Sequence, residues 1–111
     1  MFADFALHER LLKAVAELNF TEPTPVQREA IPPALAGKDL RVIAQTGSGK
    51  TAAFALPLLN RLIGDAEPRV RVRALILLPT RELAQQTLKE MEKFSCYTFI
   101  KSMLITGGEG F

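Results

Sequence analysis

Apolar residues recur every three or four positions in two stretches of the N-terminal third of the chain, which predicts two helices. The first helix carries a stripe of aliphatic side chains, Leu7, Leu11, Leu12, Val15 and Leu18. The second begins at Thr24-Pro25, where a hydroxyl can cap the first turn and the missing N–H of proline costs nothing. It extends to about Leu35 and stops at Gly37, a residue type suited to a helix C-terminus.

The same spacing predicts two further helices in the second half of the chain. One runs from Lys50 to Ile63, directly after a glycine-rich turn. The other follows Thr80, a second hydroxyl that can cap a first turn. Its apolar stripe consists of Ala84, Leu88, Met91 and Phe94.

Three shorter apolar runs between these helices predict β-strands. The first is Leu40–Ala44 and the last is Phe99–Ile105. The middle run alternates over Arg69-Val70-Arg71-Val72-Arg73 and becomes continuously apolar over Ala74–Leu78, as in a strand with a solvated entrance and a body covered on both faces. No aromatic residue separates its three arginines, so we interpret them as solvated rather than as a nucleic-acid patch. Strands that alternate with helices predict an α/β fold with a parallel sheet and flanking helices.

Composition narrows the class of protein. Hydrophobic residues make up 48% of the chain and charged residues 23%, a balance that excludes disordered and collagen-like chains. The net charge of +2 is too small to indicate a nucleic-acid partner by itself. One cysteine and one histidine exclude a Cys/His zinc site and disfavour a disulfide-rich secreted module. With no signal peptide and no apolar run near the roughly 20 residues that span a bilayer, we expect a cytoplasmic protein.

The strongest single motif is Ala44–Thr51, AQTGSGKT, which lies between a predicted strand and a predicted helix. There, backbone N–H groups and the positive end of a helix dipole converge on one concavity that suits a polyphosphate. Lys50 would reach the β- and γ-phosphates and the Thr51 hydroxyl would join the Mg²⁺ shell, which makes these two the candidate catalytic residues. The whole candidate nucleotide-binding loop is Gln45, Thr46, Gly47, Ser48, Gly49, Lys50 and Thr51.

One position of this loop departs from the usual pattern G-x-x-x-x-G-K-[ST], because Ala44 stands where the first glycine would be. The alternative interpretation is a glycine-rich turn between strand and helix, with Lys50 as an ordinary surface lysine.

Several motifs in a fixed order carry a resemblance to a known family. They are Phe2, the segment Phe20–Gln27 (FTEPTPVQ), the loop Ala44–Thr51, the segment Pro79–Gln86 (PTRELAQQ) and the pair Gly107-Gly108. On these motifs, essentially the whole chain resembles the DEAD-box family of ATP-dependent RNA helicases. The resemblance implies the first part of an N-terminal RecA-like domain, with adenine-recognition helices over residues 1–36 and an incomplete phosphate-loop βαβ core over residues 37–111.

Two residues are candidates for the adenine base. The amide of Gln27 offers the donor and the acceptor that the N6 and N7 edge of adenine requires, and the resemblance implies that this glutamine selects adenine. It also implies an upstream aromatic residue that stacks on the base, for which we favour Phe2 over Phe5. The alternative for Gln27 is a solvated polar residue on a helix. Asn19 stands where the family usually has glycine, and asparagine tolerates a left-handed conformation there.

A second set of residues is assigned to RNA. The resemblance implies backbone contacts to single-stranded RNA or a short duplex from Pro79, Thr80, Arg81, Glu82, Gly107 and Gly108. A hydroxyl, a guanidinium and the free amides of a helix start are suitable donors to phosphate. The alternative is a plain N-cap at Thr80 and a solvated Arg81.

The resemblance implies an ATP hydrolase that uses ATP and Mg²⁺ to separate short RNA duplexes. The acidic Asp-Glu-Ala-Asp motif of the family does not occur in these 111 residues. We therefore expect nucleotide binding without hydrolysis or unwinding by this chain alone. A non-catalytic nucleotide- or RNA-binding module and another phosphate-loop NTPase stay open as alternatives. A short parallel sheet would expose its edges, so we also expect either that the chain is part of a longer protein or that a second copy covers these edges.

Overall fold

A computed structural model of the chain describes residues 1–43, 49–64 and 72–106. In these residues a short 3₁₀ helix, Phe2–Asp4, precedes four α-helices. They are α1 (Glu9–Glu17), α2 (Pro25–Leu35), α3 (Lys50–Gly64) and α4 (Arg81–Phe94). The four predicted helices are confirmed, and α2 and α3 lie within one residue of their predicted bounds.

Capping side chains explain where the helices begin. Thr24 and Thr80 cap α2 and α4 as predicted, since each hydroxyl oxygen accepts a hydrogen bond from the backbone N–H three residues later. The cap of α1 is His8, whose Nδ1 accepts from the Arg10 N–H at 3.1 Å. After α1, Asn19 adopts the left-handed conformation expected of it, with φ of 62°.

The core lies where the four helices meet. α3 is central, because it contacts each of the other three α-helices. Its Ala52 and Ala55 are buried, and such small side chains let neighbouring helices approach closely. The largest fully buried side chains are Leu11, Val15, Ile31, Leu56, Leu59 and Phe94.

The predicted α/β fold class is wrong for the part of the chain that the structure describes, because none of its residues forms a strand. The predicted strands coincide with segments 38–43, 72–78 and 100–106, which follow or precede helices without ladder hydrogen bonds. Side chains expected to be covered are exposed instead, with Ile43 at 86%, Leu77 at 83% and Met103 at 82%. An apolar run favours the extended backbone but does not specify which other segment will pair with it.

Segments 72–78 and 100–106 nevertheless pack against the helices with one face. Ile76 and Ile100 are partly buried and pack against the core. Exposure alternates along residues 75–78 and 101–106, a period of two that is typical of pleated backbone. The prediction that helices cover both faces is therefore wrong, since only the side toward α1–α4 is covered.

Arg73 is not the solvated residue that the alternating pattern predicts. Its Nη1 donates to the carbonyl of Leu62 at 3.2 Å, in the last turn of α3. A cation there is favourable because the C-terminal carbonyls of a helix carry partial negative charge. Arg69 and Arg71 lie outside the described residues.

Candidate nucleotide and RNA site

The first turn of α2 contains a buried amide. Gln27 Oε1 accepts a hydrogen bond from the Thr24 backbone N–H at 2.9 Å, and Thr24 Oγ1 accepts one from the Gln27 backbone N–H at 3.4 Å. This reciprocal pair is a capping box. Gln27 is only 3% exposed, so the alternative of a solvated polar residue is wrong. The spacing Thr-x-x-Gln is the sequence signature of a capping box, and it could have predicted this arrangement.

The same amide joins α2 to the start of α3. Gln27 Nε2 donates to the carbonyl of Gly49 at 3.1 Å, across 22 residues of sequence. Because Oε1 faces an N–H and Nε2 faces a carbonyl, two backbone groups of opposite polarity fix the orientation of the amide. An amide has two N–H donors and two acceptor lone pairs, so one of each is not used by these two bonds. That remaining donor and acceptor pair matches the chemistry of the adenine edge.

Gly49 makes this junction possible. Its φ of +87° lies in the left-handed region, and a Cβ there would collide with Gln27 Nε2 and lie 3.0 Å from Thr24 Oγ1. The Gly49 carbonyl also accepts from the Ala53 N–H at 3.3 Å, the first backbone bond of α3. The residue is therefore both the start of α3 and the point where α2 docks on it.

The start of α3 has the features of an anion-binding helix end. Lys50 is its first residue and is exposed, and Thr51 follows, half-buried. The first turn contains no acidic residue, so no side-chain carboxylate from it competes for the N-terminal amides. The other predicted loop residues, Gln45, Thr46, Gly47 and Ser48, lie outside the described residues, as does Ala44.

The sequence predicts that the Thr51 hydroxyl and the nucleotide phosphates together coordinate Mg²⁺. No group of three or more His, Cys, Asp or Glu side chains that could hold a metal occurs in the described ranges. Mg²⁺ commonly binds through one or two protein groups, phosphate oxygens and water, and a threonine hydroxyl fits that mode. The role of Thr51 in holding Mg²⁺ stays a prediction.

The upstream aromatic residues form a cluster. Phe2 is 4% exposed, and its ring centroid lies 5.8 Å from that of Phe5 and 6.0 Å from that of Phe20. Phe20 in turn contacts Phe94 of α4 edge to face. The Phe2 ring thus packs into the core, and its stacking on adenine stays a prediction.

The residues assigned to RNA surround the first turn of α4. Pro79, Thr80, Arg81 and Glu82 are all exposed there. The oxygen of Thr80 accepts from the Leu83 N–H at 3.1 Å, which leaves the hydroxyl proton as a donor. Thr80 is therefore an N-cap, as the alternative holds, and the cap does not exclude a phosphate contact. Gly107 and Gly108 lie outside the described residues.

A polar cluster that no local pattern predicts connects α1 to the turn after α4. The Tyr97 hydroxyl donates to the Glu17 carboxylate, and Lys13 Nζ lies 4.2 Å from the centroid of the tyrosine ring. The hydrogen bond to Glu17, together with desolvation and the carboxylate charge, raises the pKa of Tyr97 to about 12. Tyr97 and Glu17 are 80 residues apart, so only the packed structure brings them together.

Comparison with known proteins places this site in context. Residues 24–111 match the DEAD/DEAH box helicase family. The chain is 55% identical over 108 residues to the probable ATP-dependent RNA helicase ddx27 of Dictyostelium discoideum, covering 96% of this chain and 14% of that protein. It is 50% identical over 107 residues to the ATP-dependent rRNA helicase RRP3 of Eremothecium gossypii, covering 96% of this chain and 21% of that protein.

Solved structures of RNA helicases are also similar to this chain. The RNA-helicase Prp28 from Chaetomium thermophilum bound to ADP superposes with a TM-score of 0.85 and 47% identity, over 94% of this chain and 26% of that one. A hypothetical ATP-dependent RNA helicase from Sulfolobus tokodaii superposes with a TM-score of 0.70 and 37% identity. The chain thus spans about a quarter or less of the length of these relatives. Among the residues described, no helix is both long and apolar enough to cross a membrane.

Proposed function

The chain belongs to the DEAD/DEAH box helicase family, and we propose that it supplies the ATP-binding part and a portion of the RNA-backbone-binding surface of an ATP-dependent RNA helicase. The relatives it matches are RNA helicases by name, which supports the proposal. Unwinding or remodelling of short RNA duplexes is proposed for a whole helicase, since the chain spans only 14% and 21% of these two relatives. A cytoplasmic location is part of the same proposal.

The observation that carries the nucleotide-binding proposal is the hydrogen bond between Gln27 Nε2 and the Gly49 carbonyl. It joins an amide of fixed orientation to the first residue before α3, the helix whose N-terminus would receive the phosphates. A base held by Gln27 and a triphosphate held by Lys50 would therefore belong to one ligand. Among nucleoside triphosphates, the remaining donor and acceptor of the amide favour adenine.

Each residue of this site has a separate task in the proposal. The Lys50 ammonium would form charge-assisted bonds to phosphate oxygens, and the Thr51 hydroxyl would hold Mg²⁺. When bound, Mg²⁺ neutralises charge on the β- and γ-phosphates. Phosphoryl transfer also needs an acidic metal partner and a positioned water, which the missing acidic motif would supply in the family. We therefore propose that this chain alone binds ATP without turning it over.

RNA would meet the exposed start of α4. Thr80 offers a hydroxyl proton, Arg81 a guanidinium and the first turn its backbone amides, all of which suit phosphate oxygens rather than base edges. Binding should therefore tolerate changes of RNA sequence and weaken with salt.

The proposal is tested by titrating the 111-residue chain with Mg·ATP in a calorimeter. Lys50→Ala removes a charge-assisted contact worth about 1.5–3 kcal/mol, so the affinity should fall roughly ten- to a hundred-fold. Lys38→Ala, which removes an exposed lysine after α2, is the matched control and should leave the affinity unchanged. Equal affinity of the parent and Lys50→Ala would refute the proposed phosphate contact. Phosphate release that Lys50→Ala abolishes would refute the absence of turnover.

A further inference from the structure

A side chain of α3 holds the start of α1. Asn60 Oδ1 accepts a hydrogen bond from the His8 backbone N–H at 2.7 Å, across 52 residues of sequence. His8 is the N-cap of α1, and in a capping box the N–H of that residue is bonded by a Glu or Gln three positions later. Leu11 stands at that position and has no acceptor to offer. Asn60 therefore supplies, from another helix, the acceptor that this position of α1 lacks.

The segment before His8 is ordered by short backbone bonds. The Phe5 N–H donates to the Phe2 carbonyl at 3.0 Å, and the Leu7 N–H donates to the Phe5 carbonyl at 2.8 Å. Phe2 and Leu7 are both buried in the core. Because these bonds follow one another along the chain, a displacement of His8 is transmitted toward Phe2 instead of being absorbed between them.

The same segment meets the part of the chain that carries Gln27. The Phe2 ring centroid lies 6.0 Å from that of Phe20, which begins the motif segment Phe20–Gln27. Gln27 in turn bonds to the Gly49 carbonyl at the start of α3. One helix, α3, is thus tied to both parts of the chain that are predicted to hold adenine. The tie to Gln27 is at its N-terminal end, and the tie to the Phe2 segment is Asn60, further along.

From these contacts we propose that Asn60 is a positioning residue of the adenine site. By holding His8, it fixes the segment that carries Phe2 relative to α3, the helix whose N-terminus would receive the phosphates. The inference rests on the proposed function and on the predicted stacking of Phe2 on adenine. Aromatic rings attract one another only in particular relative arrangements, so loss of this bond should weaken binding of the base and leave binding of the phosphates unchanged.

The test is calorimetry with Mg·ATP and with Mg·tripolyphosphate, which carries no base. Asn60→Leu removes the acceptor at similar side-chain volume and should weaken ATP binding roughly ten-fold, with tripolyphosphate binding unchanged. Asn60→Asp keeps an oxygen acceptor for the His8 N–H and should restore the ATP affinity of the parent. Gln85→Leu removes an exposed neutral amide of α4 and is the matched control, which should bind both ligands like the parent.

Two further measurements separate positioning from folding. Exchange of the His8 amide proton should be faster in Asn60→Leu than in the parent or in Asn60→Asp, with the helix content measured by circular dichroism unchanged. The losses of ATP affinity in Asn60→Leu and Phe2→Leu should not add in the double variant, because one residue acts through the other. If Asn60→Leu loses helix content, Asn60→Ala takes its place in both measurements.

The outcomes distinguish this inference from the proposed function. Unchanged ATP affinity in Asn60→Leu, an equal loss for ATP and tripolyphosphate, or additive losses with Phe2→Leu would each overturn the positioning role of Asn60 while ATP binding by the parent still stands. A parent that does not bind ATP would overturn the proposed function and the positioning role together.

Discussion

A single residue without a side chain controls how α2 meets α3. The Gly49 carbonyl accepts from Ala53 to begin α3 and from Gln27 to hold the amide in place. The sequence motif explains this glycine by the need for phosphates to approach the loop backbone closely. The structure adds a second physical reason, which is that Thr24 and Gln27 occupy the space where a Cβ would lie.

We predict that Gly49→Ala destabilises the chain more than Gly37→Ala does. Both glycines have positive φ, so an alanine at either position incurs a conformational cost of about 1–2 kcal/mol. Gly37 has no neighbour within 4 Å of the added Cβ, whereas Gly49 has the Gln27 amide. Displacing that buried amide should cost about 1–3 kcal/mol more. Urea unfolding of the two variants measures the difference in the free energy of unfolding. Equal losses in the two variants would show that the collision at Gly49 does not affect stability.

At the scale of elements, local signals predict helices well because a helix satisfies its own backbone. Thr24 and Thr80 are recognisable caps because their partners lie three residues away. The start of α1 was harder to predict, since its cap is a histidine and the His8 N–H donates to Asn60 Oδ1 at 2.7 Å, 52 residues away. Contacts of that kind depend on packing and leave no pattern in the sequence.

The contact between α1 and the turn after α4 gives a prediction with an optical readout. Tyr97 is the only tyrosine and the chain has no tryptophan, so ultraviolet absorbance reports its ionisation alone. The pKa of Tyr97 should be near 12 in the folded chain and return toward its ordinary value of 10.0 in Glu17→Ala. Glu9→Ala, on the same helix, should leave it at about 12.

The same shift fixes how stability depends on pH. Because folding raises the pKa of Tyr97, the stabilisation is complete below pH 10.0 and is lost as the pH rises through about 12. Glu17→Ala should flatten that alkaline loss of stability. A Tyr97 titration that is identical in the parent and in Glu17→Ala would contradict the assigned cause.

For the whole molecule, the sequence predicts the helices and their apolar stripes but not the absence of a sheet in the described residues. Strand pairing depends on which distant backbone segment becomes a neighbour. The apolar runs at 72–78 and 100–106 do not determine which segment that is. Their inward residues do join the core, as Ile76 and Ile100 show. The sequence therefore correctly predicts that one face of these two segments is buried. Its prediction that the other face is also covered is wrong.

The candidate site, like the fold, could be predicted from the sequence only in part. The family resemblance implies that Gln27 and the glycine-rich loop bind one nucleotide, and Gln27 Nε2 lies 3.1 Å from the Gly49 carbonyl. The burial of Phe2 against Phe5 and Phe20 was not predictable, because an aromatic residue suits a core as well as a base. The candidate site thus lies where α2 and α3 are in direct contact.

The central claim is that the Gln27 amide selects adenine while it is fixed by Thr24 and Gly49. The most direct test is to compare ATP and GTP affinity by calorimetry in the parent and in Gln27→Glu, which keeps the acceptor facing Thr24 but loses the donor. The parent should prefer ATP by roughly ten-fold or more, and Gln27→Glu should lose that preference, whereas Gln85→Glu on the exposed surface of α4 should keep it. A parent that binds both nucleotides equally, or a Gln27→Glu variant that still prefers ATP, would contradict the claim.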